Sequence, residues 1–300
     1  MAKRRRELPS EAQERIDRAV AYVDRRLSSD EDTATVVRDL LVDLFGDREA
    51  YRRLRGGASP SPVAQARLRS YEPGHALTES ERWAEQDPGD VRASKPLRYL
   101  WRCFDRSPLA DNLAFALPFR QTLANHLFAE AGDGLQLFSG IKIQCGHNVR
   151  MGDNVVVHNG VLLDDRGELV IGDRVSVADE AHLHTHSHHI VDQADVTNYR
   201  TEVADDARIG YGAMVSAGTR VGENAVVGAS AMARGDVPAH HVAVGSPAES
   251  VKVKPGWEEV AEEPGALEDR SEERALDSTV PEDVDVHDEF ERDLAPPGEP

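Results

Sequence analysis

Aliphatic residues recur every six positions through the second half of the chain. Val203, Ile209, Val215, Val221, Val227 and Ala233 follow one another without a gap. Upstream, Met151, Val157 and Leu163 share the spacing, and a step of eight leads to Ile171, Val177 and Leu183. Leu137 and Ile143 precede Met151 by the same six and eight. Neither a 3.6-residue helix nor a two-residue strand alternation gives this period. A parallel β-helix does, each hexad supplying one flat face and one corner. Three hexads close a coil of about 18 residues, so 135–255 holds roughly six coils with aliphatic ladders inside. Ile171-Gly172-Asp173, Ile209-Gly210 and Val221-Gly222 fall at the turns. Glycine is expected there for a backbone conformation costly to a residue bearing Cβ.

The chain before the hexads follows a different pattern. Ile16, Val20 and Val23 recur at helical spacing behind Ser10-Glu11-Ala12-Gln13, which fits a capping box. A second helix is predicted over Thr33 to Phe45, with Val36, Val37, Leu40, Leu41 and Leu44 on one stripe. Residues 1–55 thus form a helical region, and Gly56-Gly57-Ala58-Ser59-Pro60-Ser61-Pro62 reads as a linker. In 63–134, Arg98 to Phe104 and Leu113 to Phe128 are predicted as apolar helices that cap the β-helix, with Trp101 and Phe104 in the core. The basic run Lys3–Arg6 reads as a solvated terminus.

Composition narrows the function. Fifty-four acidic residues against 35 basic give a net charge of −19, which argues against a simple nucleic-acid binder. Residues 257–300 carry 17 acidic and 3 basic residues, so −14 of that charge lies in a tail expected to be disordered. Only five of the basic residues are lysine. An acidic, lysine-poor surface suits a concentrated salt solution that screens self-repulsion, so a halophilic cytoplasm is expected. No run of 18 apolar residues and no leader pattern is present. Cys103 and Cys145 make no disulfide framework.

Several motifs in order resemble the hexapeptide-repeat acyltransferases. They are His158-Asn159-Gly160-Val161-Leu162-Leu163-Asp164-Asp165-Arg166-Gly167, Leu183-His184-Thr185-His186-Ser187-His188, Ile209-Gly210-Tyr211-Gly212-Ala213, Val227-Gly228-Ala229-Ser230, Asp236-Val237-Pro238 and Val244-Gly245-Ser246-Pro247-Ala248. The resemblance is to the branch holding the maltose and galactoside O-acetyltransferases and the polysaccharide-biosynthesis acetyltransferases. It implies a mainly β fold built on a left-handed parallel β-helix. It also implies a homotrimer with active sites between subunits, acetyl-CoA as donor, a sugar-like acceptor and no metal.

Five histidines crowd together after Ala181: His182, His184, His186, His188 and His189. The family base follows an inward aliphatic by five, which selects His188 after Leu183. A neutral imidazole suits the task, since it accepts a proton near neutral pH. The Asp164-Asp165 pair, one coil earlier, is the expected support for that ring, and Asp165 is taken as its partner. Asn159 is the nearest match to an acceptor-lining Asn, with His158 as the alternative. His186, Asn198, Tyr199 and Arg200 are further candidate substrate contacts. Residues 189–202 interrupt the hexads as a loop expected to wall the acceptor site.

By the same resemblance Tyr211, Ala229 and Arg234 line the CoA groove. The chain departs from the family at Ala233-Arg234-Gly235 and at Glu249, where basic residues are usual. Lys252 and Lys254 stand ready for the CoA phosphates instead. Two other readings compete. One is a zinc enzyme like the gamma-class carbonic anhydrases, with His158 and His184 as ligands and Asp179 in the place of a third histidine. The other is a non-catalytic trimeric scaffold.

Overall fold

The computed structural model describes residues 7–190 and 195–277. Six helices open the chain: α1 (Ser10–Leu27), α2 (Thr33–Leu44), α3 (Arg48–Arg55), α4 (Pro62–Arg69), α5 (Pro88–Phe104) and α6 (Leu113–Leu127). The capping box at Ser10 does not form; Ser10 is already helical, Pro9 precedes it, and no side chain caps that end. Asp32 caps α2 through the Thr35 N–H. The sequence reading also starts α5 too late, at Arg98, because Pro88-Gly89 and the internal Pro96 disguise its first turns. Pro88 sits in the first turn, where its missing N–H costs nothing.

Past α6 the chain winds into a mainly β solenoid of about six turns. Its short strands stack in three parallel faces, and the stacks are the hexad ladders. Ala131, Met151, Ile171, Val203 and Val221 are register partners on face one. Leu137, Val157, Val177, Ile209, Val227 and Ala243 align on face two. Ile143, Leu163, Leu183, Val215 and Ala233 align on face three. Nearly all of these side chains are fully buried. Each fully buried Val, Leu, Ile or Met among them contributes roughly 1.5–3 kcal/mol of apolar burial, which makes the stack the main source of stability.

The early coils are longer than three hexads. Leu137 pairs with Val157, and Val157 with Val177. The extra residues fall where the hexads step by eight, at the third corner, which joins face three to face one. The corner glycines also serve a different purpose from the predicted one. Gly172 and Gly210 do not have positive φ. A Cβ on Gly210 would lie 2.6 Å from the Ala229 nitrogen of the next coil. The demand is close approach of backbones. The left-handed conformation falls two positions later, at Arg174 and Gly212.

The helices cover the first coil, and their core is continuous with the solenoid core. Its outermost carbonyls have no earlier coil to accept from, and helix side chains fill that role. Trp101 Nε1 donates to the Ile141 carbonyl (2.9 Å), Arg120 to Leu137 (3.2 Å) and Arg98 to Gln144 (3.0 Å). Unpaired backbone at an open end is costly, so these three donors do structural duty.

Two segments differ from expectation. The interruption at 189–202 is largely a hairpin: His186–His188 pairs antiparallel with the start of Val196–Val203, which continues into face one. The acidic tail also begins later than Trp257. Ala275–Leu276 pairs with Tyr199 and Asn198, and Arg274 grips Asp236 through two hydrogen bonds of 2.6 and 3.0 Å. An exposed strand edge and a partly buried ion pair recruit this stretch despite its composition. The Lys3–Arg6 run and the tail beyond 277 lie outside the described residues. No helix among the described residues is long and apolar enough to cross a membrane.

Candidate active site

The third corner gathers the histidines. Leu163 stacks on Leu183, so the residue after each stacks too, and Asp164 lies one coil below His184. Asp164 is 1% exposed. Its Oδ2 accepts from His186 Nδ1 at 2.5 Å and lies 3.4 Å from His184 Nδ1. Thr185 locks the step between the coils: its Oγ1 donates to the Asp164 carbonyl (2.7 Å) and accepts from the Gly167 N–H (2.8 Å). Burial works against the Asp164 anion, but the hydrogen bonds from His184 and His186 and their charge hold the carboxyl below its usual range. Asp164 is therefore an anion at any working pH. It fixes His186 with Nδ1 inward, leaving Nε2 as the other ring nitrogen.

Asp165 does something else. It is fully buried, and its carboxylate accepts the backbone N–H groups of Gln144 (2.8 Å), Cys145 (2.9 Å) and Gly146. Burial pushes its pKa up to about 6, against those three bonds and with the neighbouring Asp164 charge. Both oxygens are spent on the previous coil's turn, so Asp165 orients no histidine. The carboxylate that meets imidazoles is that of Asp164, toward His184 and His186.

His188 lies exposed on the hairpin, its ring edge-on to His186 with centroids 5.3 Å apart. Arg234 is exposed on the same corner, two coils on. Tyr199 is buried beneath the C-terminal segment, so it does not reach open solvent as a substrate contact would.

The other candidates lie on the second corner, between faces two and three. Asn159 is exposed there, accepting from Ser139 Oγ (3.0 Å) and donating to Asp179 (2.9 Å) in a ladder of polar side chains. His158 stacks on Phe138. Tyr211 and Ala229 stand exposed above them, and Lys252 is exposed on the terminal hairpin formed by His241–Gly245 and Ala248–Val253. Lys254 is engaged with Asn224. One chain therefore divides the candidates between two corners. It also keeps His158 and Asp179 apart from His184, and no cluster of three ligating side chains forms among the described residues.

The sequence reading sets Asp164 and Asp165 one coil below the histidines without separating their roles, which only the side-chain contacts do. The longer early coil sets His184 directly over Asp164.

No protein-family model matches the chain. A Staphylococcus aureus (strain COL) protein named as an acetyltransferase is 30% identical over 182 residues, which span 58% of this chain and 87% of that protein. The galactoside O-acetyltransferase of Escherichia coli (strain K12) is 23% identical over 137 residues, 44% of this chain and 68% of the relative. Among solved structures, a maltose O-acetyltransferase from Clostridium difficile 630 shares the fold, with a TM-score of 0.50 and 24% identity. That match covers 60% of this chain and 98% of that one.

Proposed function

This chain belongs to the hexapeptide-repeat acetyltransferases, and from that premise we propose that it moves an acetyl group from acetyl-CoA to a hydroxyl of a sugar or sugar-containing acceptor. The observation that carries the reading is the His186–Asp164 pair packed against His188 at the third corner. His188, at the family's base position, takes the proton from the acceptor hydroxyl. The oxygen attacks the thioester carbonyl, the tetrahedral oxyanion collapses with cleavage of the C–S bond, and the imidazolium returns its proton to the CoA thiolate. Asp164 holds His186, and His186 braces the His188 ring, so both are positioning residues.

The active form in this reading is a homotrimer. The base lies on one corner and Asn159, Tyr211 and Ala229 on another, so a complete site needs the third corner of one chain beside the second corner of the next. The acidic, lysine-poor surface fits a cytoplasm rich in salt.

The test is thiol release from acetyl-CoA in high salt across a panel of sugars. Wild type should release thiol only with an acceptor. His188→Ala should lower the rate by roughly 10²–10⁴, the usual worth of a general base. Unchanged turnover in His188→Ala, with loss in His186→Ala, would move the base to His186.

A further inference from the structure

A cleft of about 520 Å³ opens beside the histidine corner, within the usual range of small-molecule sites. Three parts of the chain build it. The stretch before and at the start of α5 forms one wall, the corner turns at 147–150 and 166–168 form the floor, and Asn198 with Leu276 and Asp277 closes the far side. Arg166 ties floor to wall. Its guanidinium lies over the Trp83 ring at 4.2 Å, its Nε donates to Glu85 (2.7 Å), and its carbonyl accepts from Gln86 (3.0 Å). The floor is therefore preformed.

Asn198 supplies the signal. It is 4% exposed and lines the cleft, yet its Oδ1 has no hydrogen-bond partner among the described residues. A buried acceptor left unpaired costs about 1–3 kcal/mol, so it calls for a donor from outside the protein. Asn198 is also the register partner of His186 across the hairpin, which puts their side chains on one face. Gly167, on the floor, donates to the Thr185 hydroxyl beside Asp164. The cleft thus adjoins the proposed catalytic histidines.

Its charge restricts the ligand. Five acidic residues line it against two arginines. Arg166 is held by Glu85, and Arg150 by Glu168 at 3.0 Å, so no guanidinium is left for a phosphate. Asp87, Asp90 and Asp277 remain as excess negative charge.

We propose that this cleft binds the acceptor, a neutral or cationic polyhydroxylated molecule without phosphate, one of whose donors meets Asn198 Oδ1. Its role as an acceptor site rests on the acetyl-transfer reading; its binding chemistry does not. Phosphorylated sugars and nucleotide sugars are excluded by repulsion.

The experiment uses the full chain with methyl glucoside, glucosamine and glucose 6-phosphate as probes. Binding is followed by saturation-transfer NMR and transfer by thiol release. Wild type should bind the first two and not the third. Asn198→Leu should raise the acceptor KM roughly tenfold, as expected for one lost hydrogen bond to a buried acceptor, with the KM for acetyl-CoA and kcat unchanged. Asp90→Asn, at the exposed rim, should reduce the preference for glucosamine over methyl glucoside without touching the fold. Transfer with acceptor KM and preference unmoved in both variants would overturn the cleft while leaving acetyl transfer intact. Tight binding of glucose 6-phosphate would overturn the charge argument. Sugar binding that is lost in Asn198→Leu, with no thiol release from any acceptor, would uphold the cleft and defeat the acetyl-transfer reading.

Discussion

The first and third corners of the solenoid both carry aspartates, and they use them differently. At the first corner, between faces one and two, Asp153, Asp173 and Asp205 each turn an oxygen to a backbone N–H one coil earlier, at 2.8, 2.8 and 3.0 Å. Asp165 at the third corner does the same with three N–H groups. Asp164 beside it takes one longer backbone N–H bond, from Thr185 at 3.3 Å, and faces two imidazoles. A carboxylate satisfied by backbone belongs to the scaffold. One satisfied by titratable rings couples its charge to a proton carrier, and only that arrangement can do acid–base work.

The sharpest way to break this contrast is steric. The third corner is closed around Gly167, where a Cβ would lie 2.3 Å from the Tyr199 carbonyl oxygen and 2.8 Å from that of Thr185. Gly167→Ala should cost at least about 3 kcal/mol in urea unfolding, because backbone atoms on both sides must move. At the second corner Gly212→Ala meets nothing closer than 3.7 Å. It should cost only the left-handed strain of about 1–2 kcal/mol. Equal losses would remove the claim that close approach of backbones, rather than the left-handed conformation, sets the larger cost.

A smaller effect separates the two neighbouring aspartates. The folded-state pKa of Asp165 is raised by burial to about 6, above its unfolded value. Its contribution to stability is therefore full below the unfolded pKa and is lost as pH rises through about 6. Wild type should lose stability relative to Asp165→Asn as pH climbs from about 4 to about 6. A gain over that window would mean that the three N–H bonds, not burial, set the charge. Asp164, whose folded pKa is depressed, has the opposite sign: its share is present above the unfolded value and lost on acidification through the folded pKa.

Much of this was legible in the sequence. The ladders on all three faces are the six-residue spacings, because a side chain that must point inward once per face leaves a period that neither a helix nor a flat sheet produces. The steps of eight marked the third corner as the place where extra residues leave the coil. The choice between Asp164 and Asp165 was not legible, since it depends on which carboxylate turns toward the rings and which toward the backbone N–H groups of the turn below. Asn198 was legible only as one of several residues of the 189–202 loop able to contact substrate. Its significance is an unpaired oxygen, and that arises only when the hairpin, the start of α5 and Leu276 meet. The pairing of Ala275–Leu276 was hidden as well, because composition reports charge and not the strand edge that awaits it.

The most direct measurement compares Asp164→Asn with Asp173→Asn, for turnover with acetyl-CoA and saturating acceptor and for thermal midpoint. Asp164→Asn should lower kcat roughly ten- to hundredfold, a part of what a general base supplies, because His186 loses its anionic partner. Asp173→Asn should leave kcat unchanged and lower the midpoint slightly, since one backbone N–H loses a charged acceptor. Equal turnover in the two variants would contradict the account, because the third corner would then be scaffold like the first.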